Sequence, residues 1–390
     1  MDSNSYISFY DEQQEVPVNQ IDSGSIAHKL RRQRLFSSLG IPRLAFYGKR
    51  VLEVGPGVGD NAKLLLANNL KSLVLFDGSK TAIEILNKKF TTEIAEQKVF
   101  IKQLDINSEE IEERFDIVIC EGMVPGQYDS HLTVNKLKTL VDVNGILIIS
   151  TQSYISVLSE TLRRIIGKSI INKCAGDREK AIELCTNFFA PSFDSLKNKS
   201  RLDRDWVIDV LIHDWDKFRG AHVYEISDAV KDMGKNFEIL GSLPDFAKNL
   251  HWYKQDVEVQ SIKTKKVLEN YEIDRLLLFD YRTDQSSIQS LSFKERISIS
   301  NRLNFLCMSI YNLHISNEPF TKSKVIILEK YLDELIVLSE YFSVKTVSSL
   351  QDYRSHISYL LETSDLNVLK DFHNWWGRGQ QYISFERTTM

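Results

Sequence analysis

Residues 51–61, VLEVGPGVGDN, decide the fold. Apolar residues flank Glu53, and glycines follow at positions 55, 57 and 59. A short apolar run ending in spaced glycines reads as a buried strand, a tight turn and the start of a helix. Glycine at such a turn permits left-handed dihedrals and close approach of a ligand to the backbone. The free N–H groups of the helix face that ligand. A loop of this kind holds a nucleotide-like cofactor, and its neighbours decide which one.

Working outward, apolar and β-branched runs at 50–54, 73–76, 98–103, 115–120 and 145–150 alternate with helical patterns near 61–68, 79–89 and 131–140. Such alternation predicts a parallel sheet covered on both faces. A helix is expected over 26–39, with Ile26, Leu30, Phe36 and Leu39 as its apolar positions and Gly40 and Pro42 ending it. Residues 154–216 read as a helical, irregular insertion. After them come a helix over 223–233, a strand at 237–240, a turn at 241–244 and a strand at 252–257, an antiparallel ending for the sheet. Beyond 262 the period is helical, as in Leu328, Leu332, Leu335 and Phe342. The expected organisation is an N-terminal helical segment (1–44), a cofactor-binding α/β domain (45–261) with its insertion, and a helical C-terminal region (262–390) with an aromatic tail.

Bulk composition narrows the classes. The 390 residues carry 49 basic and 53 acidic side chains, net −4, without a long basic tract. That balance argues against nucleic acid as a partner. Cys120, Cys174, Cys185 and Cys307 are far apart and show no metal or disulfide spacing, which suits a reduced, cytoplasmic protein. The polar, acidic start is not a signal peptide, and no apolar run reaches membrane-spanning length.

The glycine loop departs from a dinucleotide fingerprint, because Asp60 stands where the third glycine belongs. No GK[ST] follows, so it is not a phosphate-binding P-loop. Glu53 would repel a pyrophosphate and attract an ammonium or sulfonium group. This favours S-adenosylmethionine. Asp77, followed by Gly78, ends the second strand, where a carboxylate can accept both hydroxyls of a ribose. Asp105 follows the third strand, placed to read an adenine amino group, with Ile106 against the ring. Glu121 follows the fourth strand. Each aspartate alone reads equally well as a helix cap. In this order along one sheet edge they read as a binding site.

The stretches VLEVGPGVGD, LVLFDGS, LDIN, FDIVICEG and VNGILIIS resemble, in order, the motifs of class I S-adenosylmethionine-dependent methyltransferases, over about residues 45–260. The resemblance implies a Rossmann-like, seven-stranded, mostly parallel sheet with helices on both faces and a final antiparallel hairpin. It implies that Glu53, Gly55, Gly57 and Gly59 surround the methionine and sugar parts of the cofactor. By the same likeness Asp77 holds the ribose, Asp105 contacts adenine, and the loop carrying Glu121 faces the methyl group. The helical C-terminal region resembles no family.

The acceptor side is less determined. Methyl transfer to oxygen calls for a base, whereas a neutral amine mainly has to be held deprotonated. His131 either faces the acceptor or opens the following helix. In SRLDRDWVIDVLIHDWDKF, Asp209 and His213 are four apart and share a face if the stretch is helical, as an acid-held base or as part of a salt-bridged surface. Arg201, Arg204 and Trp206 are candidate acceptor contacts, and so are Trp376 and Arg378 in the tail DFHNWWGRGQQYISFE. The tail reads equally as a docking element. No spaced cluster of metal ligands is evident. The expected activity is methyl transfer to a glycan, a sugar-linked compound or another small polar acceptor. A protein acceptor, an NAD-dependent oxidoreductase and a non-catalytic scaffold are the alternatives. The helical region suits either acceptor selection or homodimer formation.

Overall fold

In the computed structural model the described residues are 5–197, 199–213, 223–248, 259–316, 320–363 and 368–388. The chain forms two compact units, one of residues 1–152, 218–271 and 380–390, the other of 153–217 and 272–379.

The first unit is built on a seven-stranded sheet in the order β3-β2-β1-β4-β5-β7-β6. Its strands are β1 (Arg50–Val54), β2 (Ser72–Asp77), β3 (Val99–Gln103), β4 (Phe115–Cys120), β5 (Val141–Thr151), β6 (Phe237–Leu243) and β7 (Gln381–Arg387). Strands β1 to β5 are parallel, and β7 runs antiparallel between β5 and β6. The chain winds outward from β1 to β3, then returns to place β4 on the other side of β1. The carboxyl ends of β1 and β4 therefore border the crevice where open α/β sheets bind ligands. Helices α1 (Ser5–Gln13), α2 (Ile26–Ser38), α3 (Asp60–Leu65), α4 (Lys80–Lys89), α5 (Thr91–Ala95), α6 (Ser130–Thr139) and α10 (Ile226–Met233) belong to this unit. Val51, Leu73, Leu75, Ile117, Ile119 and Ile148 of the strands join one buried core with Leu35, Phe36 and Leu39 of α2.

Two features differ from the reading of the sequence. The strand partner of β6 is the end of the chain, whereas the segment expected to pair with it, 252–257, lies outside the described residues. The buried face of α2 is also rotated. Ile26 and Leu30 are exposed, at 78% and 54%, while His28 and Arg32 are buried beside Leu35, Phe36 and Leu39.

The second unit is helical. It holds α7 (Tyr154–Lys173), α8 (Arg178–Asp194), α9 (Asp203–Val207), α12 (Phe293–Ile315), α13 (Lys322–Ser339) and α14 (Val344–Thr363). Helix α11 (Val259–Asp274) carries the chain from the first unit into it. Ser153 starts α7 with a capping box, its hydroxyl accepting from Ser156 N while the Ser156 hydroxyl accepts from Ser153 N. Buried Arg163 is the hub. Its guanidinium donates to the carbonyls of Ser159 and Trp375 at 3.0 and 2.8 Å and stacks 3.8 Å from the Trp376 ring centroid. A buried charge is tolerated only when its donors are satisfied in this way. Among the described residues no helix is long and apolar enough to cross a membrane, and no group of His, Cys, Asp or Glu could hold a metal ion.

Candidate active site

The glycine loop after β1 adopts the left-handed backbone its composition calls for, with φ of +70° at Gly55, +56° at Gly57 and +76° at Gly59. Gly59 is the residue before α3. Gly57 N donates to Asp77 Oδ2 at 3.2 Å, and Ser79 N donates to Asp77 Oδ1 at 3.0 Å. The loop after β1 and the end of β2 are thus one hydrogen-bonded piece. A loop N–H that a pyrophosphate would need is spent on a carboxylate. Burial pushes Asp77 up to about 6, the bonds from Ser79 and Gly57 pull it down, and the nearby Asp11 charge raises it.

Gly78 follows directly. Asp105 Oδ1 accepts from Asn107 N at 2.9 Å, which turns the chain after β3 and leaves Ile106 buried. The Asn107 side chain ties this loop to the one after β4, donating to Gln127 Oε1 at 3.0 Å.

At the end of β4, Glu121 is held on two sides. Arg32 Nη1 donates to both its oxygens, at 2.8 and 2.7 Å, and the Tyr382 hydroxyl donates at 2.8 Å. Gly122 N donates to Ser150 Oγ at 2.7 Å. Glu53 lies behind this cluster, 3% exposed, and its Oε2 has no hydrogen-bond partner. Burial pushes its carboxyl up to about 7, Arg32 opposes that shift, and Glu121 adds to it. The guanidinium bonds Glu121, so among these three side chains Glu53 keeps one uncompensated negative charge.

This donor set fits S-adenosylmethionine. A buried carboxylate lacking a partner accommodates an ammonium or sulfonium, Asp77 is placed at the strand end for ribose hydroxyls, and Asp105 and Ile106 are adjacent for a purine. Arg32 and Tyr382 escaped the reading of the sequence. The signal for Arg32 was the series His28, Arg32, Leu35, Phe36 and Leu39, which shares one helical face. Tyr382 had no such signal, since nothing local brings the end of the chain beside β5.

The remaining candidates stand elsewhere. His131, on α6, is turned toward α10, with Nδ1 2.7 Å from Asp232 Oδ2, and its ring packs edge-on against Tyr224. Asp232 also accepts from the Tyr224 hydroxyl at 2.7 Å. Arg201, Arg204, Trp206, Asp209, His213, Trp376 and Arg378 belong to the second unit, not to the unit of the glycine loop. Asp209 Oδ2 accepts from Arg201 Nη1 at 2.7 Å, and Arg204 pairs with Glu179 at 3.4 Å. The stretch Ile208–Ile212 is a π-helix, and His213, at its end, is buried. Trp206 packs against Phe189, Phe193 and Trp376. The Trp376 indole donates to Ser192 O at 3.1 Å, and Arg378 Nε donates to Leu277 O at 2.9 Å. Asp214 and Trp215 lie outside the described residues.

Residues 26–182 match the family described as Methyltransferase domain. No curated protein matches the chain. Among solved structures, the chain is similar to an S-adenosylmethionine-dependent methyltransferase from Mesorhizobium loti, at 13% identity and TM-score 0.27, over 29% of this chain and 50% of that one. It is similar to the N-methyltransferase NodS from Bradyrhizobium japonicum in complex with S-adenosylhomocysteine, at 18% identity and TM-score 0.30, over 38% and 74%. A third is the CcbJ methyltransferase from Streptomyces caelestis, at 14% identity and TM-score 0.31, over 40% and 61%. The chain spans about half the length of the first of these. By the family match and the sheet order, residues 26–182 belong to the class I S-adenosylmethionine-dependent methyltransferase domains.

Proposed function

We propose that the protein transfers a methyl group from S-adenosylmethionine to a small polar acceptor. The observation that carries this reading is Glu53, a buried carboxylate with an unpartnered oxygen beside the glycine loop. The cofactor, when bound, supplies an activated methyl group on a sulfonium. Glu53 supplies the countercharge, Asp77 orients the ribose, and Asp105 with Ile106 receives the adenine. The glycines at 55, 57, 59 and 78 allow the backbone to come close. The protein's remaining task is to align an acceptor atom behind the methyl carbon and exclude water, and such positioning provides much of the rate.

Glu121 sits where the acceptor side begins, yet its lone pairs are spent on Arg32 and Tyr382. It serves better as a fixed anion that shapes the cleft than as a general base. His131, oriented by Asp232, is the better base candidate in the first unit. The polar groups at the β4 end, Glu121, Tyr382 and Gln380, favour a polar acceptor. The aromatic and arginine set of the tail no longer supports a glycan, because its polar atoms are used within the second unit.

Titration with S-adenosylhomocysteine and, separately, NAD tests the donor. Binding of NAD without the homocysteine compound would overturn the reading in favour of an oxidoreductase. Methyl-labelled cofactor incubated with fractionated cell extract identifies the acceptor. Label recovered only in polypeptide would replace the small acceptor by a protein.

A further inference from the structure

The segment ahead of α2 lies on the loops that form the candidate cofactor site. A Cβ at Gly57 would stand 2.7 Å from Val18 Cγ2, one at Gly78 would overlap the end of Ile7, and one at Gly126 would overlap the Tyr6 ring. These glycines belong to the loops after β1, β2 and β4. One short stretch of chain therefore crosses three of the loops at the carboxyl edge of the sheet.

Its attachments are unequal. At one end Gln20 N and the Ser23 hydroxyl both donate to Asp60, at 2.8 Å each, and Lys89 pairs with the same carboxylate. Toward the other end the polar attachment is Asp11. Its Oδ1 accepts from Ser79 Oγ at 2.6 Å and Thr81 N at 3.0 Å, and its Oδ2 accepts from Lys80 N at 3.1 Å. Burial alone would raise the Asp11 carboxyl, but these bonds hold it below its usual range. The first turn of α4 is thus shared by two carboxylates, Asp77 from β2 and Asp11 from the crossing segment. Both complement the positive end of that helix.

The apolar contribution is small. Val16 packs with Val58 and Ala82 in a cluster separate from the main core, with Tyr10, Val18 and Ile85 around it. A nine-residue helix such as α1 does not persist unaided. Segments with few buried contacts are the ones that open locally.

We propose that residues 5–18 form a strap over the cofactor site, hinged at the Asp60 anchor and latched by Asp11 on α4, and that the cofactor exchanges only when the latch opens. This rests on the methyltransferase reading above. Ile7 and Tyr6, lying over Gly78 and Gly126, would then form the outer wall against the ribose and the acceptor side.

Release of S-adenosylhomocysteine, followed by stopped-flow displacement, tests the strap in the intact chain, in Asp11→Ala and in Ile7→Ala. Melting of each unliganded protein confirms that it is folded. Loss of the latch bonds is expected to speed release about tenfold in Asp11→Ala. In the unsubstituted protein the ligand should also slow cleavage by a glutamate-specific protease at Glu12 and Glu15, and Asp11→Ala should abolish that protection. Release rates within about twofold of the parent in both folded variants, with cleavage indifferent to ligand, would overturn the strap and leave the methyltransferase reading standing. Absence of any binding by the unsubstituted protein would instead remove that reading, and the strap with it.

Discussion

Glu53 is the residue on which the chemistry of the site turns. Its folded-state carboxyl titrates near 7 against an ordinary 4.5, chiefly because burial penalises the charged form. The folded protein therefore holds a proton that the unfolded chain releases between those values. The sign is fixed by linkage: stability of the unliganded protein is full below about pH 4.5 and falls as pH rises to about 7, by up to about 3 kcal/mol. Glu53→Gln should flatten that slope, so the unliganded variant melts above the parent at pH 8 and alongside it at pH 5. The same variant should lose about tenfold or more in affinity for S-adenosylmethionine, whose cation it no longer balances. Calorimetry at the two pH values reads both effects, and an unchanged slope would refute the assignment. Arg32 carries the complementary expectation. Arg32→Met leaves Glu121 and Glu53 as two buried like charges and should cost about 3–5 kcal/mol at pH 8. The loss should shrink at pH 5, where a carboxyl can be protonated; equal losses at both pH values would show that packing, not charge, is the main role of Arg32.

At the scale of elements, β7 is the part of the sheet most exposed to test. It pairs with β5 from Ile146↔Glu386 to Thr151↔Gln381, and β6 reaches the sheet only through it. Phe385 is fully buried there, and Phe385→Ala should cost about 3–5 kcal/mol in a denaturant titration. A loss below about 1 kcal/mol would mean that the end of the chain is dispensable to the sheet. The five parallel strands were legible in the sequence because each is a short apolar run next to a turn signal, as in RVLEV before Gly55 and SLVLFD before Gly78. Strand β7 was not, because QYISFE follows the glycines of the aromatic tail and its partners are more than 130 residues away. Pairing at that distance leaves no local period to read. Helix α2 was legible as a helix but not in phase. Its apolar residues Ile26 and Leu30 face outward, while His28 and Arg32 turn inward, His28 within 3.0 Å of the Asn61 side chain and Arg32 onto Glu121. Polar side chains that find buried partners override a hydrophobic count, and those partners come from other elements.

For the whole molecule, the interleaved chain separates the roles its sequence seemed to mix. The glycine loop, Asp77, Asp105 and Glu121 share the sheet unit, whereas the tryptophans and arginines first read as acceptor contacts belong to the helical unit. There each has an internal partner, with Trp375 Nε1 donating to Phe279 O at 2.8 Å and Trp376 Nε1 to Ser192 O at 3.1 Å. Ser192 also bonds the His373 ring at 2.7 Å, so the tail sequence is the packing of the second unit, read locally. Trp376→Ala removes a large ring stacked on Arg163 and leaves that buried guanidinium less covered. The expected cost is about 3–5 kcal/mol, with S-adenosylhomocysteine affinity within about twofold of the parent below the melting transition. If Trp376 instead serves the acceptor, melting should change little and the acceptor KM should rise. Thermal melting and ligand titration on one preparation separate the two outcomes, because a structural loss and a recognition loss move different observables.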